Sequence, residues 1–265
     1  MGLAGVRAID FMRTASDQDR RYLLYNPILK MKVTSQGDRV VSMLHDVIAA
    51  RGYEQETYFE MAIRDIGMLP RLEGTEHVNM ALIIKFIRNY FFDPVDVPEI
   101  EVQAQPGDDS YLFRQFTGGL AKVRFPDYRR PYEGFSEPNV ALFREQVEAF
   151  RTLLTKDPPT KEQAGNVAYV LDAGEHFTLI AYAQLLLEGA RLHDVDRDLV
   201  DQMFDVLVRD FSKGALHMVL SYGNTPSQEQ RFMGMIRKPA FDQARFDRVW
   251  QRHVFALRAQ YAMNP

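Results

Sequence analysis

The sequence predicts an all-α protein. Three observations lead there. Apolar residues recur at three- and four-residue spacing through most of the 265 residues. No run alternates β-branched with polar residues in the manner of strands. Hydrophobic residues make up 46% and charged residues 26%, the balance of a globular chain long enough for one large or two modest cored domains.

The elements follow in order. The first, over 2–15, is short and amphipathic, with Leu3, Val6, Ile9 and Phe11 as its apolar positions. A longer helix spans 22–50, with Pro27 in its first turn and Gly37 as a tolerated weak point. A shorter one covers 55–67. From 75 to 92, TEHVNMALIIKFIRNYFF is apolar at 78, 82 and 86 and again at 80, 83, 84, 87 and 91, so this helix is expected to be buried on two sides. Residues 93–138 are rich in Pro, Gly and Asp and carry no helical period. They read as a long surface connector with at most one or two short strands. Helices resume over 139–154, 160–192, 198–223 and 241–263, the last apolar at Phe246, Val249, Trp250, Val254 and Leu257. Four helices with short turns suggest an antiparallel bundle. The expected organisation is a first helical domain (1–95), a connector (96–138) and a second bundle (139–265).

Composition narrows the function. A net charge of −4 gives no polyanion-binding surface, which argues against nucleic acid. The absence of cysteine excludes disulfides, thiolate metal sites and thiol catalysis. No apolar run reaches the length of a membrane span. The start, MGLAGVRAIDF, has no basic segment leading into an apolar one, and Val6 stands where a myristoylation site has Ser or Thr. The cytoplasm is the expected compartment.

One stretch carries chemistry. In MLPRLEGTEHVNMALIIKF (68–86), Glu73 sits beside Gly74 at the mouth of an apolar helix. Taken alone, Glu73 and Thr75 read as ordinary helix-start residues, which complement the dipole and the unpaired N–H groups. A catalytic base is the other reading. Around them the chain has Lys30 in PILKMKV, Gly52-Tyr53-Glu54, Arg64-Asp65 in AIRDIG, and Leu72-Glu73-Gly74-Thr75. In this register residues 26–76 resemble the C-terminal helical domain of the acyl-CoA dehydrogenases, and the likeness to the family core extends over about residues 3–95.

The resemblance implies a flavin enzyme that desaturates an acyl-CoA thioester, with FAD as cofactor and an electron-transfer flavoprotein as electron acceptor. It makes Glu73 the base that takes the α-proton, and it lays Gly74 and Thr75 against the substrate carbonyl and the flavin. Such a base needs a nearly dry slot that lifts its pKa toward working pH. The family also sets the turn before Gly-Tyr against the adenine end of a flavin held by a neighbouring subunit. That turn is Asp46, Val47, Ile48, Ala49 and Ala50 here, where the family usually has glutamine followed by two glycines.

The family's N-terminal helical domain and flavin-holding β-domain have no counterpart in these residues. The chain is therefore expected to act as the C-terminal part of a long-form member, in a homo- or hetero-oligomer with a chain that carries those domains. A non-catalytic helical interaction subunit or an inactive fragment is the alternative. An acyl-CoA oxidase would differ only in what reoxidises the flavin.

Other candidates are weaker. His176, His193 and His217 lack metal-ligand spacing. Asp194, Asp196 and Asp198 open like a calcium loop, but Leu199 and Asp205 stand where it needs glycine and glutamate, so Asp196 or Asp198 is expected to cap a helix. His77 lies within a turn of Glu73, as a site residue or a helix-surface one. Gly118-Gly119 reads as a turn. Arg124, Arg129 and Arg130 with Tyr128 and Tyr132 suit a CoA phosphate, an acidic partner or a solvated connector.

Overall fold

The centre of the molecule is one helix that is buried all round through most of its length. The computed structural model describes residues 1–72, 74–105, 108, 110–114, 119–221 and 223–260, and among these it is all-α with no strand. The helices are α1 (Gly2–Arg13), α2 (Tyr22–Ile48), α3 (Tyr58–Met68), α4 (Glu76–Ile83), α5 (Ile87–Phe92), α6 (Pro138–Lys156), α7 (Lys161–Gly165), α8 (Val167–Leu192), α9 (Arg197–Leu220), α10 (Pro226–Met235) and α11 (Gln243–His253). Every residue of α8 from His176 to Ala190 is buried. A helix with no polar stripe must be covered on all sides. Here α1, α2 and α4 cover one side and α9 another, while α6, α10 and α11 pack on α9.

Local sequence explains where the later helices begin. Asn166, Asp196 and Asp242 accept hydrogen bonds from backbone N–H groups of the first turns of α8, α9 and α11. Thr160 and Thr225 form reciprocal capping boxes with Gln163 and Gln228. The expected cap at Asp196 is therefore present: its Oδ1 accepts from Asp198 N at 3.0 Å, while the Asp198 carboxylate pairs with Arg248. Helix α10 had no counterpart in the sequence reading, although its Thr-Pro-Ser-Gln start is a complete helix signal. The segment over 160–192 divides at Asn166, which is extended.

Helix 75–92 packs between α2 and α8 and buries Met80, Ile83, Phe86 and Phe91, but Val78 at the start of the other expected face is exposed; the helix tightens to a 3-10 turn over Ile84–Phe86. Pro27 lies inside α2 beyond the first turn, and α2 continues unbroken past Gly37.

Two expectations fail. Val6 and Ile9 face outward on α1, whose buried face holds Ala4, Arg7, Ala8, Asp10 and Phe11. Arg7 is kept there by partners: Nε donates to Glu188 at 2.9 Å, Nη1 donates to the Ile100 carbonyl at 2.7 Å, and Asp10 lies 3.3 Å away. Gln184 extends the network, donating to Glu188 at 2.8 Å and accepting from the Tyr90 hydroxyl at 2.7 Å. A buried charge is tolerable only when its hydrogen-bonding groups are met in this way.

The connector is also not a surface strap. Ile100, Tyr111, Val123, Phe125, Tyr128 and Tyr132 are core residues, and Asn89 Nδ2 donates to the Val123 carbonyl at 2.9 Å. Phe91 joins it to both helical parts, with ring centroids 5.1 Å from Tyr128, 6.1 Å from Phe150 and 5.8 Å from Phe177. A single hydrophobic cluster runs from Ala4 to Met235 across all three expected segments.

Candidate functional site

The stretch around Glu73 lies where α2, the turn after α3 and the start of α4 meet. Glu73 itself is outside the described residues. Its neighbour Gly74 has φ +100°, a conformation side chains other than glycine rarely adopt. Thr75 is the N-cap of α4, yet its side chain makes no capping hydrogen bond. The turn is held instead by Asn79, whose Nδ2 donates to the carbonyls of Gly74 and Thr75, each at 3.1 Å. Lys30 donates to the Leu69 carbonyl and so fastens α2 to the same turn.

Two adjoining clefts open here. One, of about 280 Å³, is lined by Ser35, Asp38, Pro70, Arg71, Thr75, Glu76 and His77. The other, of about 350 Å³, is lined by Met31, Lys32, Ser35, Glu76, His77, Met80, Leu171, Asp172 and Glu175. Ser35, Glu76 and His77 belong to both, and the Ser35 hydroxyl donates to Glu76. Met31, Met80 and Leu171 supply apolar wall to the second cleft, and Lys32 forms an ion pair with Glu175 across it. Burial holds the Lys32 ammonium down to a pKa of about 8, against the pull of Asp210 and Glu76. At the far side Asp172 faces His217, with Oδ2 to Nε2 at 3.1 Å.

The remaining expected site residues lie elsewhere. Asp46, Ala49 and Ala50 are exposed at the C-terminal end of α2. Eleven residues of helix separate Asp46 from Ser35, about 16 Å at the usual rise. The structure therefore does not bring them to Gly74 and Thr75 within one chain. Ala49 has φ 56° and ψ −142°, a backbone shape that belongs to glycine. Nearby, Gly52 permits close packing, since a Cβ there would stand 2.7 Å from the His45 ring.

At the Gly74–Thr75 turn the threonine hydroxyl is uncommitted as a cap, which suits the edge of a flavin or thioester, although Asn79 Nδ2 stands 3.5 Å from where a Cβ on Gly74 would lie. The exposed Asp46 carboxylate and the Ala49 and Ala50 methyls do not fit a pyrophosphate, which calls for N–H donors and close backbone approach.

The other sequence candidates have structural work. Arg129 Nε and the Tyr128 hydroxyl both donate to Glu148, at 2.9 and 2.8 Å, tying the connector to α6. Tyr128 and Tyr132 are buried rather than solvated. Gly119 has φ +89°, in keeping with a turn, and Gly118 is outside the described residues. His176 is fully buried, stacked on Phe150 at 5.6 Å. Its ring nitrogens make no hydrogen bond of ordinary geometry, although the backbone of Asp172 and Phe211 lies close enough to favour the proton. Burial wins and lowers its pKa to about 4.

Sequence reasoning missed Lys32, Ser35, Asn79 and Glu175. Lys32 and Ser35 stand one turn apart on α2, and Asn79 one turn after Thr75, so helical spacing pairs Lys32 with Ser35 and Asn79 with Thr75. Among the described residues no helix is long and apolar enough to cross a membrane. Comparison with family models, curated proteins and solved structures found no match. The fold and site together define an all-α bundle with a polar double cleft at the start of α4.

Proposed function

We propose that this chain is the catalytic-base half of a flavin-dependent acyl-CoA dehydrogenase, working in an oligomer whose other chain supplies the N-terminal and β-domains. The observation that carries the reading is the Gly74–Thr75 turn. It combines a left-handed glycine, a threonine hydroxyl not used for capping, and an adjoining cleft of about 280 Å³, next to the carboxylate residue of the motif.

In this reading Glu73 takes the α-proton of the acyl thioester. Gly74 leaves room for the thioester beside the backbone, and Asn79 fixes the turn so that the geometry does not drift. Bound FAD would accept the β-hydride, and its electrons would pass to an electron-transfer flavoprotein. Exposed apolar residues support the need for a partner: Val47 is 85% exposed, and Leu44, Tyr58, Met68, Leu72 and Val78 are exposed with it around α2, α3 and the start of α4.

Asp46, Ala49 and Ala50 favour a second reading, a helical interaction subunit without catalysis. The visible absorbance of the purified chain, alone and co-expressed with a chain carrying the missing domains, separates the two. Flavin retained only in the co-expressed complex supports the dehydrogenase. A complex that forms and stays colourless supports the interaction subunit.

A further inference from the structure

We propose that Lys32 is a nucleophilic amine that captures a small aldehyde as an imine in the cleft between α2, α4 and α8. The proposal is independent of the flavin reading. Three features of the cleft carry it. The Lys32 side chain is 14% exposed yet lines a cleft of about 350 Å³, so a ligand that enters can reach the nitrogen. Met31, Met80 and Leu171 give the cleft apolar wall that would hold a short alkyl group. The charged groups around the amine are chiefly acids: Glu175 and Asp172 from α8, Glu76 from α4 and Asp210 from α9, with His77 on the α4 side.

The chemistry closes on these residues. Glu175, in contact with the ammonium, takes one proton and frees the amine. The nitrogen lone pair attacks the carbonyl carbon, a C–N bond forms as the C=O π pair moves to oxygen, and a proton passes from the nitrogen to that oxygen, which becomes a hydroxyl. A proton returned by Glu175 lets that hydroxyl leave as water, and the nitrogen lone pair makes the C=N bond. The sum is ammonium plus aldehyde giving iminium plus water, with the positive charge unchanged in place. Glu175 and Glu76 thus stabilise the product as they stabilise the starting ammonium. Desolvation of the lysine is a recognised way to activate such an amine. With a pKa of about 8, roughly a tenth of the side chain is neutral at pH 7, against about 0.03% for an ordinary lysine.

The test uses the intact folded chain, with propanal and cyanoborohydride at pH 7 and peptide mapping of the N-propyl lysines. Lys32 should be alkylated at least tenfold faster than exposed Lys213. Its rate should level off above about pH 8, whereas that of Lys213 should keep rising toward pH 10. The preference should vanish in urea. Labelling of Lys32 no faster than Lys213 in the folded chain, with normal labelling in urea, would overturn the proposal and leave Lys32 as a buried ion-pair residue.

Discussion

Replacing Ala49 with glycine should stabilise this protein, the reverse of the usual effect of a glycine. Ala49 ends α2 with φ 56° and ψ −142°, where its methyl group crowds the backbone. A non-glycine residue held there costs about 1–3 kcal/mol. Glycine removes that strain but adds about 0.5–1 kcal/mol of backbone entropy to the unfolded chain. The net gain is about 1 kcal/mol, which for a chain of this size raises Tm by about 2–4 °C. Ala50 is the internal control. It follows directly, lies in the same turn and has no positive φ, so Ala50→Gly should cost about 0.5–1 kcal/mol. Thermal unfolding by circular dichroism gives the two signs side by side. If Ala49→Gly lowers Tm as Ala50→Gly does, the turn has no glycine-type backbone and one structural link to the family register is lost.

Three further outcomes are expected. His176 has a pKa of about 4 in the folded protein against its ordinary 6.5, so between those values the unfolded chain binds a proton that the folded chain does not. Stability should therefore fall as pH drops from 6.5 to 4, by roughly 3 kcal/mol from this residue, and His176→Phe should flatten the urea-measured pH profile. Glu188→Ala removes the partner of the buried Arg7 Nε while Asp10 and the Ile100 carbonyl still hold Nη1, and should cost about 1.5–3 kcal/mol in urea unfolding, with Glu188→Gln milder because its amide oxygen still accepts. Asn79→Ala should cost about 1 kcal/mol and raise hydrogen exchange at the start of α4, because it removes both bonds to the Gly74–Thr75 turn.

Much of the fold was legible in the sequence because helical period is local. The two-sided pattern of 75–92 named a helix packed between neighbours, and α4 does lie between α2 and α8. What period could not show is which chain segments meet. Val123, Phe125, Tyr128 and Tyr132 have no regular spacing, so a segment rich in Pro and Gly read as surface although it fills the core. On α1, the apolar positions gave no sign that Arg7 is buried, because its partners Glu188 and Ile100 are far away in sequence. The site was legible only as a motif. Glycine stands at position 74, where the backbone has φ +100°. The role of Asn79 depends on hydrogen bonds that a motif does not encode. The Lys32 cleft needed α8, some 140 residues downstream, to supply Glu175.

The most direct test of the central claim is acyl-CoA-dependent bleaching of the flavin in the assembled complex, comparing wild type with Glu73→Gln. The account predicts that both retain flavin and that the variant bleaches at least a hundredfold more slowly, as loss of a positioned base requires. Bleaching of Glu73→Gln at the wild-type rate would contradict it and leave Glu73 as a helix-start residue.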